Sequence, residues 1–385
     1  MKDRSWWIRA VSPPIAVGAV IAVSAVGLPA NASAPQLSPK TAQQVVALLA
    51  NQTVSGLSGD VVEKSALGLP SLPSGGGGRS TTAGLTGLLA GTHSLRVWVG
   101  KAGQFRAQVL DTLDETEVVS DGTTLWTYVY STNSVNRMTL PAQHQASTSK
   151  PSPAEASLTP DQAATKVLSA IDPSTEVTVS GTASIAGHGA YLLDVRPRTA
   201  DTTIGVIRIG VDATTGVALR VQIFARGATS AALTIGFTHV SFGTVDASRF
   251  HFTPPPGATN TRGGPSIVTG RPYASEKPLP ATAPDSTPST QPRIVGTGWA
   301  SVVVLPHGAL TASLPDQPQG NQRRYRASGP NLADLVARAG TKVTGGTLLH
   351  TALINVLVAD DGRVLVGAVP ASVLQKALTA PAQTG

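Results

Sequence analysis

The sequence predicts an α+β protein built on an antiparallel sheet, with a small α+β module at its C-terminal end. Two long stretches alternate apolar with polar side chains, and a helix-like pattern precedes each of them. Short turns join the alternating runs, which favours antiparallel over parallel pairing. A segment dense in Pro, Ser, Thr and Gly then separates this region from a further structured one. The chain is therefore expected to contain one large sheet domain and one small module.

Composition limits the classes of function. Of the 385 residues, 41% are hydrophobic and only 13% are charged, against about 25% charged in an ordinary domain. The chain has no cysteine, which excludes disulfides, thiolate metal sites and a cysteine nucleophile. The net charge is +7, but the basic residues are scattered and form no stripe interleaved with aromatics. A nucleic-acid partner is therefore not expected.

The N-terminal 32 residues have the plan of an export signal. Lys2, Arg4 and Arg9 form a positive start, an uncharged apolar run extends over Ile15–Leu28, and Ala30–Ala32 is a small-x-small site. We predict that residues 1–32 are a signal peptide cleaved after Ala32, or alternatively an uncleaved anchor. Either reading makes the protein extracytoplasmic, secreted or anchored at the cell envelope.

The first half of the sheet domain is expected to follow one helix. Ser38 as N-cap and Pro39 at the first helical position predict its start. Leu85, Leu88 and Leu89 indicate a second, short helix that ends at Gly91. The expected strands are Gly56–Lys64, Leu95–Val99, Gln104–Asp111, Thr116–Ser120, Thr124–Tyr130 and Ser134–Thr139, with hairpin turns at Gly100–Gly103 and Asp121–Gly122.

The second half repeats this plan. A helix is expected from Thr159–Asp161, its capping residues, to Ile171. The strands that follow are Glu176–Gly181, Ala190–Arg196, Gly205–Val211, Ala218–Ala225 and Ala231–Phe237, with a turn at Asp212–Gly216. We therefore predict a sheet domain over residues 33–258, a disordered linker over 259–292 and a C-terminal module over 293–385. In the module, strands are expected at Ile294–Leu305, Leu348–Val358 and Arg363–Val369, and a helix at Val373–Leu378.

Three segments of the sheet domain resemble one family. Ser120–Tyr128 (SDGTTLWTY) is similar to its "DG..LW.Y" hairpin, and Ile209–Val221 is similar to its "i.vD..tG.p.rv" turn. Residues 232–257 carry an alternating strand, an Asp-Ala-Ser turn at Asp246–Ser248, a Phe-His-Phe triplet and a Pro-Pro-Pro-Gly stop. In this order they resemble the LolA-like superfamily, which includes lipoprotein carriers, periplasmic regulators of the RseB/MucB kind and actinobacterial envelope proteins.

The resemblance implies an open, strongly curved antiparallel sheet (a half-barrel) with lid helices and an apolar cavity. It implies a non-enzymatic carrier that sequesters the acyl chains of lipids or lipoproteins, without a cofactor and as a monomer. The alternative is a sensor of the RseB/MucB kind that contacts a membrane protein such as an anti-sigma factor, and the additional C-terminal module favours this reading. An envelope enzyme is a third class, but the sequence contains no nucleophile elbow, phosphate loop or metal-ligand spacing.

The strand rich in aromatics and its neighbours supply the candidate ligand-binding residues. Alternation sorts the side chains into faces but does not orient those faces. The candidates for the cavity wall are Val97, Trp98, Val99, Phe105, Val109, Leu125, Trp126, Tyr128, Val129 and Tyr130. Ordinary packing of sheet against helix explains the same residues and stays open as the alternative. No catalytic or metal-binding residue is expected.

Overall fold

The computed structural model describes residues 36–68, 90–101, 103–109, 116–140, 173–260, 292–307, 336 and 339–379. These form one sheet of twelve strands, a second of six strands, and two α-helices, α1 (Ala42–Ala50) and α2 (Ala371–Thr379). The predicted signal segment, the helix predicted over 159–171 and most of the predicted linker lie outside the described residues.

The large sheet contains strands from both predicted meanders. Its first half consists of β1 (Leu57–Ala66), β2 (Ala90–Val99), β3 (Gln104–Val109), β4 (Thr116–Asp121), β5 (Thr124–Val129) and β6 (Ser134–Thr139). Its second half consists of β7 (Thr175–Ile185), β8 (His188–Pro197), β9 (Ile204–Asp212), β10 (Ala218–Ala225), β11 (Ala231–Phe242) and β12 (Thr259–Asn260).

Strand order makes this sheet open. It runs β12-β6-β5-β4-β3-β2-β1-β11-β10-β9-β8-β7, and every neighbouring pair is antiparallel except β12 with β6. The two meanders meet where β1 pairs with β11, at Glu63 opposite Ile235. The rings of His188 in β8 and Phe242 in β11 lie 5.1 Å apart, although β9 and β10 lie between these two strands in the sheet. The sheet is therefore curved. The predicted open, curved antiparallel sheet is confirmed.

Helix α1 begins three residues later than the Ser38-Pro39 signal suggests. Thr41 is its N-cap and forms a capping box with Gln44, each side chain accepting a hydrogen bond from the other residue's backbone N–H. This reciprocal pair satisfies two free N–H groups at once, which a Ser-Pro start does not. Ser38 instead accepts a 2.7 Å hydrogen bond at its carbonyl from the Tyr191 hydroxyl.

Several strand predictions are corrected by the pairing. The short helix predicted to end at Gly91 is wrong at that end, because Ala90 and Gly91 belong to β2 and pair with β1. The last strand predicted before the linker does not end at Phe237, because β11 continues to Phe242 through a register shift opposite Asp60 and Val61. The first two residues of the predicted linker form β12 and pair with Ser134 and Val135.

The C-terminal module contains β13 (Arg293–Val295), β14 (Val302–Leu305), β15 (Thr341–Val343), β16 (Gly346–Leu349), β17 (Asn355–Ala359) and β18 (Val364–Gly367). The single strands predicted over Ile294–Leu305 and Leu348–Val358 are each two strands. In the first, Gly296 has φ +83°, which an L side chain rarely adopts, and the chain reverses there. The β16–β17 connection is closed by Asn355, which accepts from the Thr351 N–H and donates to the Val369 carbonyl.

The C-terminal sheet contacts the large sheet through an apolar cluster. Trp299 and Leu353 pack with Leu67, Ile204 and Ala232 of the first domain. Four hydrogen bonds surround this cluster: Ala352 N–H to the Leu67 carbonyl, Thr203 N–H and the Thr202 hydroxyl to the Ala368 carbonyl, and the Thr203 hydroxyl to the Leu353 carbonyl.

Candidate ligand-binding surface

The two faces of the large sheet follow from its register, because directly paired residues share a face and neighbours along a strand alternate. Helix α1 packs its Val45 and Val46 on one face, against Leu193, Ile209 and Val211. We call this the α1 face. The pairs Ile209–Val221 and Val221–Ile235 continue this face from β9 through β10 to β11. The pair Phe237–Val61 continues it from β11 to β1, and Leu95 and Val109 carry it on to β2 and β3. One surface therefore crosses both meanders.

Charged side chains are segregated to the opposite face. Within the described strands of this sheet, Glu63 is the single Asp, Glu, Lys or Arg on the α1 face. The register puts the others on the opposite face: Asp60, Lys64, Arg96, Arg106, Glu117, Asp121, Arg137, Glu176, Asp194, Arg196, Arg208, Asp212 and Arg220. The α1 face is therefore almost free of charge in the described strands.

Six of the ten candidate residues lie on the α1 face. They are Val97, Val99, Phe105, Val109, Leu125 and Val129. Val109 is buried against Val61 and Leu95, whereas Val99 is 40% exposed. Val97, Phe105, Leu125 and Val129 are half-buried. The structure thus brings these six together on one apolar surface.

The other four candidates, Trp98, Trp126, Tyr128 and Tyr130, lie on the opposite face. Trp98, Trp126 and Tyr128 contact the chain that leaves β11. The Phe252 ring lies 5.6 Å from Trp126 and 5.8 Å from Tyr128, and the Arg249 guanidinium stacks 5.4 Å from Trp98. One cavity wall cannot include residues from both faces, so the ten candidates form two separate groups.

The 3₁₀ turn Ala247–Phe250 explains why the sequence motif at 246–252 covers this aromatic face. Asp246 caps the turn by accepting from the Ser248 N–H at 2.8 Å. Phe250 is then fully buried over Gly100, where an added Cβ would lie 2.6 Å from its ring. Arg106 anchors the segment by donating a 3.1 Å hydrogen bond to the Arg249 carbonyl. The segment 246–252 therefore closes the face opposite α1.

Two elements outside the large sheet cover the α1 face within the described residues, and the β7–β8 hairpin adds a third contact, where Ile185 and Ala190 pack in one cluster with Leu57, Val97 and Phe237. Helix α1 covers it over β7–β9, and the C-terminal sheet covers Val195, Ile207, Ile223 and Leu233 near the other end of β8–β11. Neither contacts the row Val99, Phe105, Leu125 and Met138, of which Val99 and Met138 are 40% and 39% exposed. These elements leave uncovered the uncharged area over β3–β6. There the apolar residues of the α1 face alternate with Thr116, Ser120, Thr127, Ser134 and Asn136.

Sequence reasoning missed several members of this surface. Ala107, Val118, Met138, Val221, Ile235 and Phe237 all lie on the α1 face by their pairing. Strand alternation marks each of them as one face of its own strand, but only the order of strands in the sheet joins those faces. Glu63 was missed for the same reason.

The opposite face is held by ion pairs. Asp194 is fully buried there and accepts from Arg208 at 2.7 and 2.9 Å, from Ser180 at 3.0 Å and from Arg196 at 2.8 Å. Burial opposes ionisation, but the hydrogen bonds and charges of Arg208, Ser180 and Arg196 outweigh it and lower the pKa of Asp194. Arg106 similarly contacts buried Glu117 at 2.5 Å. These ion pairs join neighbouring strands and stabilise the sheet.

Two clefts lie apart from the apolar surface. One, of about 530 Å³, is lined by polar residues that include Ser55, Gln104, Asp121 and Asp246. The other, of about 290 Å³, contains Asp60 and Arg96 on the opposite face, joined by a 3.0 Å ion pair. The second cleft is polar and unsuited to an acyl chain, whereas the first also has apolar lining from Val245 and Ala247.

Among the described residues, no three His, Asp or Glu side chains are grouped so that they could hold a metal ion. In that same part of the chain, no helix has the length and apolar character needed to cross a bilayer.

Comparison with known proteins gives likeness to solved structures alone. No family model matches the chain, and no curated protein matches it. The MucA/MucB complex of Pseudomonas aeruginosa matches over 87% of this chain and 96% of that chain, at 15% identity and a TM-score of 0.38. An uncharacterized conserved protein of Thermus thermophilus matches over 57% and 98%, at 10% identity and a TM-score of 0.34. A LolA superfamily protein of Nitrosomonas europaea matches over 56% and 99%, at 8% identity and a TM-score of 0.22. At these values no ligand or partner is transferred.

Proposed function

We propose that this protein is an extracytoplasmic, non-enzymatic binding protein that holds acyl chains of lipids or lipoproteins on the α1 face of its large sheet. One observation carries the proposal: the charged residues are segregated to the opposite face, while apolar side chains on the α1 face stay partly exposed over β2–β6. Removing an acyl chain from water contributes about 0.8 kcal/mol per CH₂. An extended apolar surface supplies that contact without a nucleophile or a metal.

Two residues of equal exposure test which face binds. Val99 on the α1 face is 40% exposed, and Tyr130 on the opposite face is 42% exposed. We expect Val99→Lys to weaken uptake of a fluorescent fatty alcohol at least tenfold, because it places a charge on the apolar surface. Tyr130→Lys, the matched control, should leave uptake within about twofold of the unchanged protein. Equal effects of the two substitutions, or no uptake by the unchanged protein, would contradict the proposal.

The second candidate function is a sensor of the RseB/MucB kind. The observation that favours it is that the C-terminal sheet packs on the same face, over Ile207, Ile223 and Leu233. A ligand on that face and a docked module are then neighbours, so binding of one affects the other. Capture of one specific membrane protein from detergent-solubilised envelope, by the full chain and not by a Trp299→Ala variant, is the result expected of a sensor. Its failure leaves the carrier function standing.

A further inference from the structure

Glu63 is a buried acid on a face that has no other charged residue in the described strands. In β1 it follows Val61 on the α1 face, and its directly paired neighbours are Ile235 of β11 and His93 of β2. The next row consists of Val61, Leu95 and Val109, which form a buried apolar cluster. The residue is 3% exposed. It is the one acid that the described strands direct toward the apolar surface.

The Glu63 carboxyl group is not satisfied by its surroundings. Its Oε2 is buried and has no hydrogen-bond partner. The nearest described basic group, His93 Nε2, lies 4.0 Å away, beyond hydrogen-bonding distance. Asp194, Glu117 and Asp212, the buried acids of the opposite face, each accept several hydrogen bonds. A buried acceptor without a donor is costly and requires an explanation.

We propose that Glu63, with His93 beside it, is the polar anchor of the acyl-binding surface and accepts a hydrogen bond from the headgroup of a bound amphiphile. This inference rests on the proposed function and adds the chemical class of the ligand. An ionised carboxylate only accepts hydrogen bonds, so the headgroup must present an N–H or O–H donor. A cationic amine fits best, because a charge-assisted bond is strongest where water is excluded. Carboxylate or phosphate headgroups are repelled.

Two further observations agree with a carboxyl group that receives its missing hydrogen bond from the ligand. Burial raises the pKa of Glu63 to about 7, so the arrival of a cation near neutral pH is enough to ionise the group. In addition, the row from Ile235 through Glu63 to His93 adjoins the apolar row from Phe237 through Val61 and Leu95 to Val109. A headgroup at Glu63 therefore has an apolar row beside it. Val61, Leu95 and Val109 are themselves buried, so the tail reaches them only when the groups that cover them move.

The test compares three ligands that share one tail and differ in headgroup: decylamine, decanol and decanoate. Binding is measured by calorimetry on the full chain at about pH 8, where Glu63 is ionised. We expect decylamine to bind at least tenfold more tightly than decanoate. In Glu63→Gln this ratio should fall below about threefold, while decanol affinity stays unchanged. Asp60→Asn, on the same strand but the opposite face, is the matched control and should keep the ratio of the unchanged protein.

The outcomes separate the two claims. If the unchanged protein does not bind decanol, the acyl-binding function itself fails. If decanol binds but the amine and the carboxylate bind equally, or if Glu63→Gln keeps the amine preference, the anchor is wrong and the acyl-binding surface stands. If Glu63→Gln folds poorly, His93→Gln, which leaves Glu63 intact, gives a second measurement. In that variant we expect the preference for decylamine over decanoate to persist and the affinity for decanol to stay unchanged.

Discussion

Trp299 of the C-terminal module donates a 2.7 Å hydrogen bond from its indole N–H to the hydroxyl of Thr175 in the large sheet, and both residues are buried. Indole nitrogen is a donor only and needs a partner when buried. The bond fixes the C-terminal module at the β7 edge, while the ring itself packs with Ile204 and Leu353. This pair joins a hydrophobic anchor to a specific contact between the two sheets.

Trp299→Ala should release the C-terminal module. The substitution removes the ring and its hydrogen bond, and we expect the docking free energy to fall by about 3–5 kcal/mol. Hydrogen exchange measures this directly, because the amides of Thr203 and Ala352, which bond across the contact, should lose protection. Trp299→Phe is the control: it keeps most of the apolar contact and should cost about 1–2 kcal/mol. Unchanged protection at both amides in Trp299→Ala would contradict this account of docking.

Gly216→Ala should destabilise the large sheet by about 3 kcal/mol. Gly216 has φ +75°, and an added Cβ would lie 2.0 Å from the Leu48 carbonyl oxygen of α1. The β9–β10 turn and the helix would have to separate. Gly227→Ala provides the comparison, since its φ is +77° but nothing lies within 4 Å of an added Cβ, so it measures backbone strain alone, about 1–2 kcal/mol. Urea denaturation of both variants checks the difference, and equal losses would show that the contact with α1 is unimportant.

The turns were predictable because their chemistry is local. Asp121 accepts from the Thr123 and Thr124 N–H groups at 2.7 Å, and Gly122 has φ +97°. The Asp212–Gly216 turn uses the same device, with Asp212 accepting from Thr214 and Thr215. Each signal is complete within a few residues, so sequence alone identifies it.

The faces were not predictable in the same way. Alternation separates Trp126 from Leu125, but which of them faces α1 depends on strands far away in sequence. The pairing of β1 with β11 decides it, together with the path of residues 246–252 over Trp98 and Tyr128. Glu63 shows the same limit, because a lone Glu between Val62 and Lys64 becomes conspicuous only when Ile235 and His93 lie beside it.

Asp194→Asn should destabilise the protein by about 3 kcal/mol near neutral pH, because it leaves Arg208 without its buried partner. The pKa of Asp194 is lowered in the folded state, so its stabilisation is present above the ordinary aspartate pKa of 3.8 and is lost as pH falls through the lower folded value. Chemical denaturation should therefore show the gap between the two proteins closing below about pH 4.

Arg196→Gln is the matched control for Asp194→Asn. Arg196 also contacts Asp194, at 2.8 Å, but its side chain is 44% exposed, so its loss should cost less than about 1 kcal/mol. A loss from Arg196→Gln as large as that from Asp194→Asn would mean that the buried carboxylate does not depend chiefly on Arg208.

Glu63 should make the protein less stable as pH rises, the reverse of the usual carboxylate. Burial raises its pKa from 4.5 to about 7, so between these values the folded protein keeps a proton that the unfolded chain has lost. The free energy of unfolding then falls with pH, by about 3 kcal/mol over this window. Glu63→Gln removes the titration. We expect the variant to gain about 3 kcal/mol relative to the unchanged protein between about pH 4 and pH 8, measured by urea denaturation. His93 lies beside Glu63, so the comparison is repeated with His93→Gln in both proteins. A difference that does not vary with pH in either background would mean that Glu63 ionises freely in the folded state, and the apolar surroundings argued for its carboxyl group would be wrong.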